Sequence, residues 1–258
     1  MAFQTIELDI RERIATLRLN RPASSNAIDR LMAAEVAEAC EHIAQNDDVW
    51  AVIIAGAGDT FCAGTDADAV REAFDAPELL NLLRVAEKVA AIEKPVIAAI
   101  DGDAIDQGFE LALACDIRVA SEGARFGLTH VERGLIPWDG GTQRLPRLAG
   151  RATALEMILT SRVLTAAEAF DLGVVNEVVD SGEEKVLLRA RELAETVVSH
   201  GPIAAGYLKE AVLKGMDMTL DQGLRLEADL NVILQSTSDR AEGIRSFLER
   251  RDPKYAGQ

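Results

Sequence analysis

The chain has 258 residues, with 43 acidic against 27 basic side chains and a formal net charge of −16. A surface of that sign repels nucleic acid and anionic membrane, so neither is expected as a partner. Hydrophobic residues make up 48% of the chain, enough for a large core, and 19 Gly with 7 Pro exclude a fibrous or low-complexity protein.

The 3 cysteines, Cys40, Cys62 and Cys115, are odd in number. None stands in CxxC spacing, and none has a His or Cys at metal-ligand spacing. Reduced thiols in a cytosol are expected, and no zinc site. The opening stretch lacks the apolar centre of a secretory signal, and no apolar run reaches the length of a membrane span.

In chain order, Phe3 to Ile10 and Arg13 to Leu19 alternate at period two and predict a hairpin. A helix is predicted from Ala27 to Gln45, with Ile28, Leu31, Met32, Val36 and Ile43 at helical spacing. Val49 to Ala55 reads as a strand buried on both faces. The loop from Gly56 to Asp66 is rich in small residues that let backbone approach a ligand. The acidic stretch over 66–78 reads as a mobile pocket edge, and Leu79 to Ile92 as one helix. Strands are predicted over 95–100, 116–120 and 174–179, and helices over 109–115 and 151–160. Gly140-Gly141-Thr142 opens another helix, Thr165 to Glu168 is a capping box, and Ser181 to Glu184 repeats its pattern. From there helices run over 183–199, 202–215, 219–235 and 239–250. The pattern predicts an α/β core over 1–180 and an all-helical region over 181–258.

The chemistry concentrates between residues 95 and 142. A carboxylate, Glu110, sits among Phe109, Leu111, Ala112 and Leu113. Burying it is costly unless it is paired or protonated. Twenty residues on stands His130, beside a glycine-rich turn. These two residues predict an active site.

Seven segments in order, NRPASSNAI, TFCAGTD, KPVIAAIDG, QGFELALACDIRVAS, ARFGL, GLIPWDGGTQRLPRLAG and LTAAEAFDLGVVNEVV, make the sequence similar to the crotonase (enoyl-CoA hydratase/isomerase) superfamily over about residues 5–255. The resemblance implies a ββα superhelix whose helical C-terminal region forms trimers, often paired as hexamers. It implies an acyl-CoA substrate, and no cofactor beyond the CoA that the substrate carries. Two backbone N–H groups would hold the thioester oxygen, each typically contributing about 3–4 kcal/mol to the rate. By position these belong to Thr65 and to Gln107, with Ala63, Gly64, Asp66 and Gly108 beside them expected to contact the substrate. The family usually runs glycines where this chain has Asp106-Gln107-Gly108, so the pocket wall is expected to carry extra polar side chains. The hydratases place two glutamates twenty residues apart around a water. Glu110 matches the first, whereas the second position is His130, whose imidazole also suits acid–base work near neutral pH. Glu132 would point away on a helix. Asp139 lies one residue past the place where some relatives keep a working aspartate, and Trp138 is expected to wall the acyl pocket.

Lysines that often meet CoA phosphates are replaced here by Asp68 and Ala23. Phe247 and Arg250 match the aromatic and basic pair that a neighbouring subunit lends to the adenine end, and Arg21 and Arg71 could take up the remaining charge. Hydration of an enoyl-CoA is the leading expectation. A hydrolase acting on a β-diketone or thioester with His130 as base, an isomerase using Glu110 alone or with Asp139, and a non-catalytic binding protein are the alternatives.

Overall fold

A computed structural model describes residues 3–75 and 78–258 of the chain. The alternating start forms the expected hairpin, β1 (Ile6–Arg11) antiparallel to β2 (Ile14–Leu19). Asp29 caps α1 (Arg30–Gln45) by accepting from the Met32 N–H, and α1 buries Met32, Val36 and Ile43. The buried strand β3 (Ala51–Gly56) lies parallel to β2. Within the 66–78 stretch, residues 67–75 form α2 (Ala67–Asp75), while residues 76 and 77 lie outside the described residues.

The helix predicted over 79–92 is two helices, α3 (Glu78–Leu83) and α4 (Val85–Ala90). Arg84 breaks them with ψ 71°. The cause lies in the site described below, which takes the Leu83 carbonyl and the first N–H groups of α4.

From here the chain repeats one unit: a strand of a large sheet, a short strand of a second sheet, then a helix. β4 (Val96–Ile100) leads into β5 (Asp103–Ile105) and α5 (Gln107–Ala114). β6 (Ile117–Ser121) leads into β7 (Arg125–Gly127), a 3-10 turn over His130–Arg133 and α6 (Gly141–Ala149). Next come α7 (Arg151–Thr160), β8 (Leu164–Thr165), α8 (Ala166–Asp171) with its capping box formed, and β9 (Glu177–Val179). The large sheet runs β1-β2-β3-β4-β6-β9 and the small one β5-β7-β8. This is the ββα superhelix that the motifs imply.

Both faces of the large sheet are buried, by residue alternation. Leu17, Val52, Ile54 and Ala98 join the larger core with α1, α4 and α5. Ile14, Ile53, Ile97 and Val119 face Val186, Ala190 and Ala194 of α9 (Glu183–Val198). The boundary expected at residue 180 therefore falls inside a packed unit, because α9 is the second cover of the sheet. Its expected capping box does not form either. Gly182 is the N-cap, and Ser181 Oγ instead accepts from the Gly123 N–H at 3.2 Å.

The remaining helices are α10 (Pro202–Gly215), α11 (Leu220–Leu234) and α12 (Ser238–Glu249). They leave Leu208, Val212, Met216, Leu220, Leu224 and Phe247 exposed. Among the described residues no helix is long and apolar enough to cross a membrane.

Candidate active site

Two backbone segments meet at the end of the small sheet. Cys62 forms a parallel bridge with Ala104, and the Ile105 N–H donates to the Cys62 carbonyl at 3.0 Å. Beyond this bridge Thr65 meets Gln107, the first residue of α5, through a side-chain hydrogen bond. Gly108 permits the approach, since a Cβ there would stand 2.1 Å from the Cys62 carbonyl oxygen. This packing role accounts for Gly108, which the sequence places among substrate contacts. Among the described residues neither the Thr65 N–H nor the Gln107 N–H has an acceptor. Two neighbouring free donors, one at a helix N-terminus, suit a developing oxyanion.

Side chains brace the same pair. Thr65 Oγ1 donates to Gln107 Oε1 at 2.6 Å. Gln107 Nε2 donates to the Leu83 carbonyl and, at 3.0 Å, to Asp139 Oδ2. Gln107 is fully buried.

Glu110 lies one helical turn into α5 and is 0% exposed. Its Oε1 accepts from the Asp139 N–H at 2.9 Å and the Gly141 N–H at 2.7 Å, at the start of α6. A Cβ on residue 141 would stand 3.1 Å from Glu110 Oε1 and 2.9 Å from Leu128, so this position needs glycine. Glu110 Oε2 has no partner among the described residues. Burial raises the carboxyl to about 7, helped by the Asp139 charge and opposed by the two N–H groups and Arg144.

His130 faces that free oxygen, with Nε2 3.8 Å from Glu110 Oε2. On its other side Nδ1 lies 3.3 Å from Asp106 Oδ1. That contact is off the hydrogen-bond line, so Nδ1 has no aligned partner among the described residues. Burial pushes the imidazole below its usual value; Asp106 works against this and Arg133 with it. The Trp138 ring packs edge-on against His130, centroids 5.2 Å apart. Trp138 is half-buried, as a pocket wall would be. Glu132, two residues along the 3-10 turn, is exposed and takes no part.

Asp139 has another task than the one its position suggests. Its carboxylate accepts from the Ala86 N–H at 2.8 Å and the Glu87 N–H at 3.1 Å, as well as from Gln107. It caps α4, some fifty residues earlier in the chain, and not the helix that follows it. With three donors on it, it ties α4, α5 and the start of α6 together. Burial raises its carboxyl above the usual range, and these donors pull it back.

The family model described as enoyl-CoA hydratase/isomerase matches residues 9–258. The chain is 38% identical to the crotonyl-CoA hydratase of Syntrophomonas wolfei, over 99% of each chain. It is 36% identical to the 2,3-dehydroadipyl-CoA hydratase of Escherichia coli, over 96% of each. The crystal structure of an enoyl-CoA hydratase from Bacillus anthracis superposes with a TM-score of 0.94 at 37% identity, covering 99% of this chain and 100% of that one.

The chain belongs to the enoyl-CoA hydratase/isomerase family. It is an enzyme of that family, and the remaining site residues are placed on its scaffold as follows. Ala63 is exposed at the mouth of the loop, and Gly64, at φ 102°, turns its carbonyl to the Ile28 N–H. Asp66 and Arg21 are paired within the protein. The Arg21 guanidinium lies 3.2 Å from Asp29 and 3.6 Å from Asp66, and donates to the Ala27 carbonyl at 2.5 Å. Arg71 is paired with Asp68 at 2.9 Å. Arg21, expected to take up CoA charge, is thus held by its neighbours, whereas Arg71 keeps only an exposed surface pair. Phe247 is 82% exposed in the last turn of α12, and Arg250 is its C-cap. Among the described residues neither side chain makes a hydrogen bond or ion pair to this chain's own site. Among the described residues no cluster of three or more His, Cys, Asp or Glu could hold a metal ion.

Proposed function

We propose that this enzyme adds water across the C2–C3 double bond of an enoyl-CoA thioester, and removes it in the reverse direction. One observation carries the reading: Glu110 Oε2 and His130 Nε2, both buried, face each other at 3.8 Å beside two free backbone N–H groups. A water within about 2.8 Å of both atoms is geometrically allowed at that separation.

Burial disfavours the charged form of each group, so the pair holds one exchangeable proton near neutral pH, with Glu110 protonated and His130 neutral. His130 Nε2 takes a proton from the water as its oxygen bonds to C3. The C2–C3 π electrons move onto the thioester oxygen, held by the Thr65 and Gln107 N–H groups. Glu110 then delivers its proton to C2 as the enolate collapses. Transfer from His130 to Glu110 restores the starting state. Trp138 lines the acyl pocket with an apolar face.

The relatives' names, which include a crotonyl-CoA and a 2,3-dehydroadipyl-CoA hydratase, support a short acyl chain. The exposed apolar faces of α10, α11 and α12 support association of copies as a trimer or a pair of trimers, in which Phe247 and Arg250 reach a neighbour's CoA. Three buried free thiols support a reducing, cytoplasmic setting.

The test is incubation with crotonyl-CoA followed by chromatography. A 3-hydroxyacyl-CoA product supports the reading. Free CoA would replace it with thioester hydrolysis, and a shifted double bond with isomerisation. An unchanged thioester, for crotonyl-CoA and for cyclic and aromatic enoyl-CoA alike, would overturn it.

A further inference from the structure

Asp106 stands at φ 50° and ψ −120°. Glycine adopts that backbone freely, whereas a residue with a Cβ is strained there by about 1–3 kcal/mol. The aspartate side chain must therefore offset that strain. It accepts from the Thr129 N–H at 2.6 Å and Thr129 Oγ1 at 3.1 Å, and it pairs with Arg133. Those contacts tie the turn carrying His130 to the start of α5. The remaining neighbour is His130 itself, whose Nδ1 lies 3.3 Å from Asp106 Oδ1. Asp106, His130 and Glu110 thus form a buried line, in which the ring is the middle member and each nitrogen faces one carboxylate.

We propose that Asp106 is a positioning residue for His130: its carboxylate keeps the ring proton on Nδ1, so that the Nε2 lone pair faces Glu110 and the reacting water. A carboxylate behind the ring also stabilises the imidazolium that forms when Nε2 takes a proton. The charged groups around the ring are Asp106 and Glu110 at the start of α5 and Arg133 on its own turn. Arg133 is itself paired with Asp106 and offsets part of its charge, so the cationic ring rests on the nearness of Asp106 and, once Glu110 has given up its proton, on a second carboxylate. The off-line contact in the free enzyme is of the kind that tightens when substrate closes the site. The catalytic consequence rests on the hydratase reading above, but the state of the ring does not.

The chain has only 3 histidines, His42, His130 and His200, so nitrogen-15 NMR of the imidazoles resolves each ring in the full-length protein. The wild-type His130 is expected to carry its proton on Nδ1. Asp106→Asn keeps the shape and removes the charge, so the His130 titration and the acid limb of the kcat profile are both expected to move to lower pH. Asp106→Gly relaxes the backbone and is expected to lower kcat at least about tenfold, part of the ~10²–10⁴ that acid–base catalysis contributes, with KM little changed. In a His130→Gln background the same Asp106→Gly change is expected to alter the rate less than about twofold, because its partner is gone. A wild-type ring protonated on Nε2, or an undiminished loss in the His130→Gln background, overturns the proposal. If the enzyme hydrates nothing, the spectra alone decide. If Asp106→Gly does not fold, the wild-type and Asp106→Asn spectra decide.

Discussion

At the scale of residues, Glu110 shows the site working against the fold. Its carboxyl titrates near 4.5 when exposed and is raised to about 7 here. Between those values the folded chain binds more protons than the unfolded one, so stability falls as pH rises through the window. At about 1.4 kcal/mol per unit, this withholds about 3 kcal/mol from the fold above neutral pH. Glu110→Gln is therefore expected to melt several degrees higher than wild type at pH 8, an advantage that disappears below about pH 4.5, while its turnover falls at least ~100-fold. Calorimetry and turnover on one preparation check both halves. The pH profile follows from the same pair. One proton must reside on Glu110 and His130 together, so kcat should rise as His130 loses its proton and fall as Glu110 does. That gives a bell whose alkaline limb lies near 7; an alkaline limb above 9 would show that Glu110 is not titrating in it. Glu110 and His130 were legible in the sequence because a carboxylate in an apolar helix and a lone histidine are anomalous there. Asp106 was not. Its place among the family's glycines marks only a polar departure in the pocket wall, and it is the positive φ and the contacts that tie it to His130. Asp139 was noticed, but not its partners, since its carboxylate reaches a helix that sequence spacing cannot place beside it.

At the scale of elements, the site is held by a break. Gln107 takes the Leu83 carbonyl and Asp139 takes the Ala86 and Glu87 N–H groups. The chain therefore cannot run one helix from α3 through α4, although its apolar spacing favours one. Gln107 also carries one of the two free backbone N–H groups, so the Thr65 hydroxyl, the Gln107 amide and the helix break form one hydrogen-bonded unit. Thr65→Val keeps the volume and the backbone N–H but leaves Gln107 Oε1 buried without a donor, at a cost of about 1–3 kcal/mol. Turnover is expected to fall about 3- to 10-fold with KM little changed, a fraction of the ~10²–10³ lost when a donor is removed outright. Equal kcat in wild type and variant would show that the brace is idle. Most helices were readable because their ends are marked, as at Thr165-Glu168 and Thr219-Gln222, where both capping boxes form. The strands β5, β7 and β8 were not, because two or three residues carry no periodicity. Their existence follows from register with neighbours far along the chain.

At the scale of the molecule, the C-terminal helices present more apolar side chain than a lone subunit buries. Leu220 is 79% exposed and Leu208 67%. Light scattering is expected to give a mass of three or six chains, and Leu220→Asp to shift it towards one chain without loss of helix content; a monodisperse wild-type monomer would contradict this. The sequence offered the apolar positions but not their exposure, which depends on what the rest of the chain leaves uncovered. The three thiols lie at the opposite extreme. Cys40, Cys62 and Cys115 are at most 4% exposed, and burial pushes each up to about 12. Cys62 lies directly beneath the loop that carries Thr65, with Gly108 pressed against its carbonyl. The folded enzyme should therefore ignore alkylating reagents, and each adduct records an excursion from the native state. Sites timed by mass spectrometry turn these cysteines into three clocks: equal rates mean that the molecule opens all at once, and an early Cys62 adduct means that the oxyanion loop lifts first.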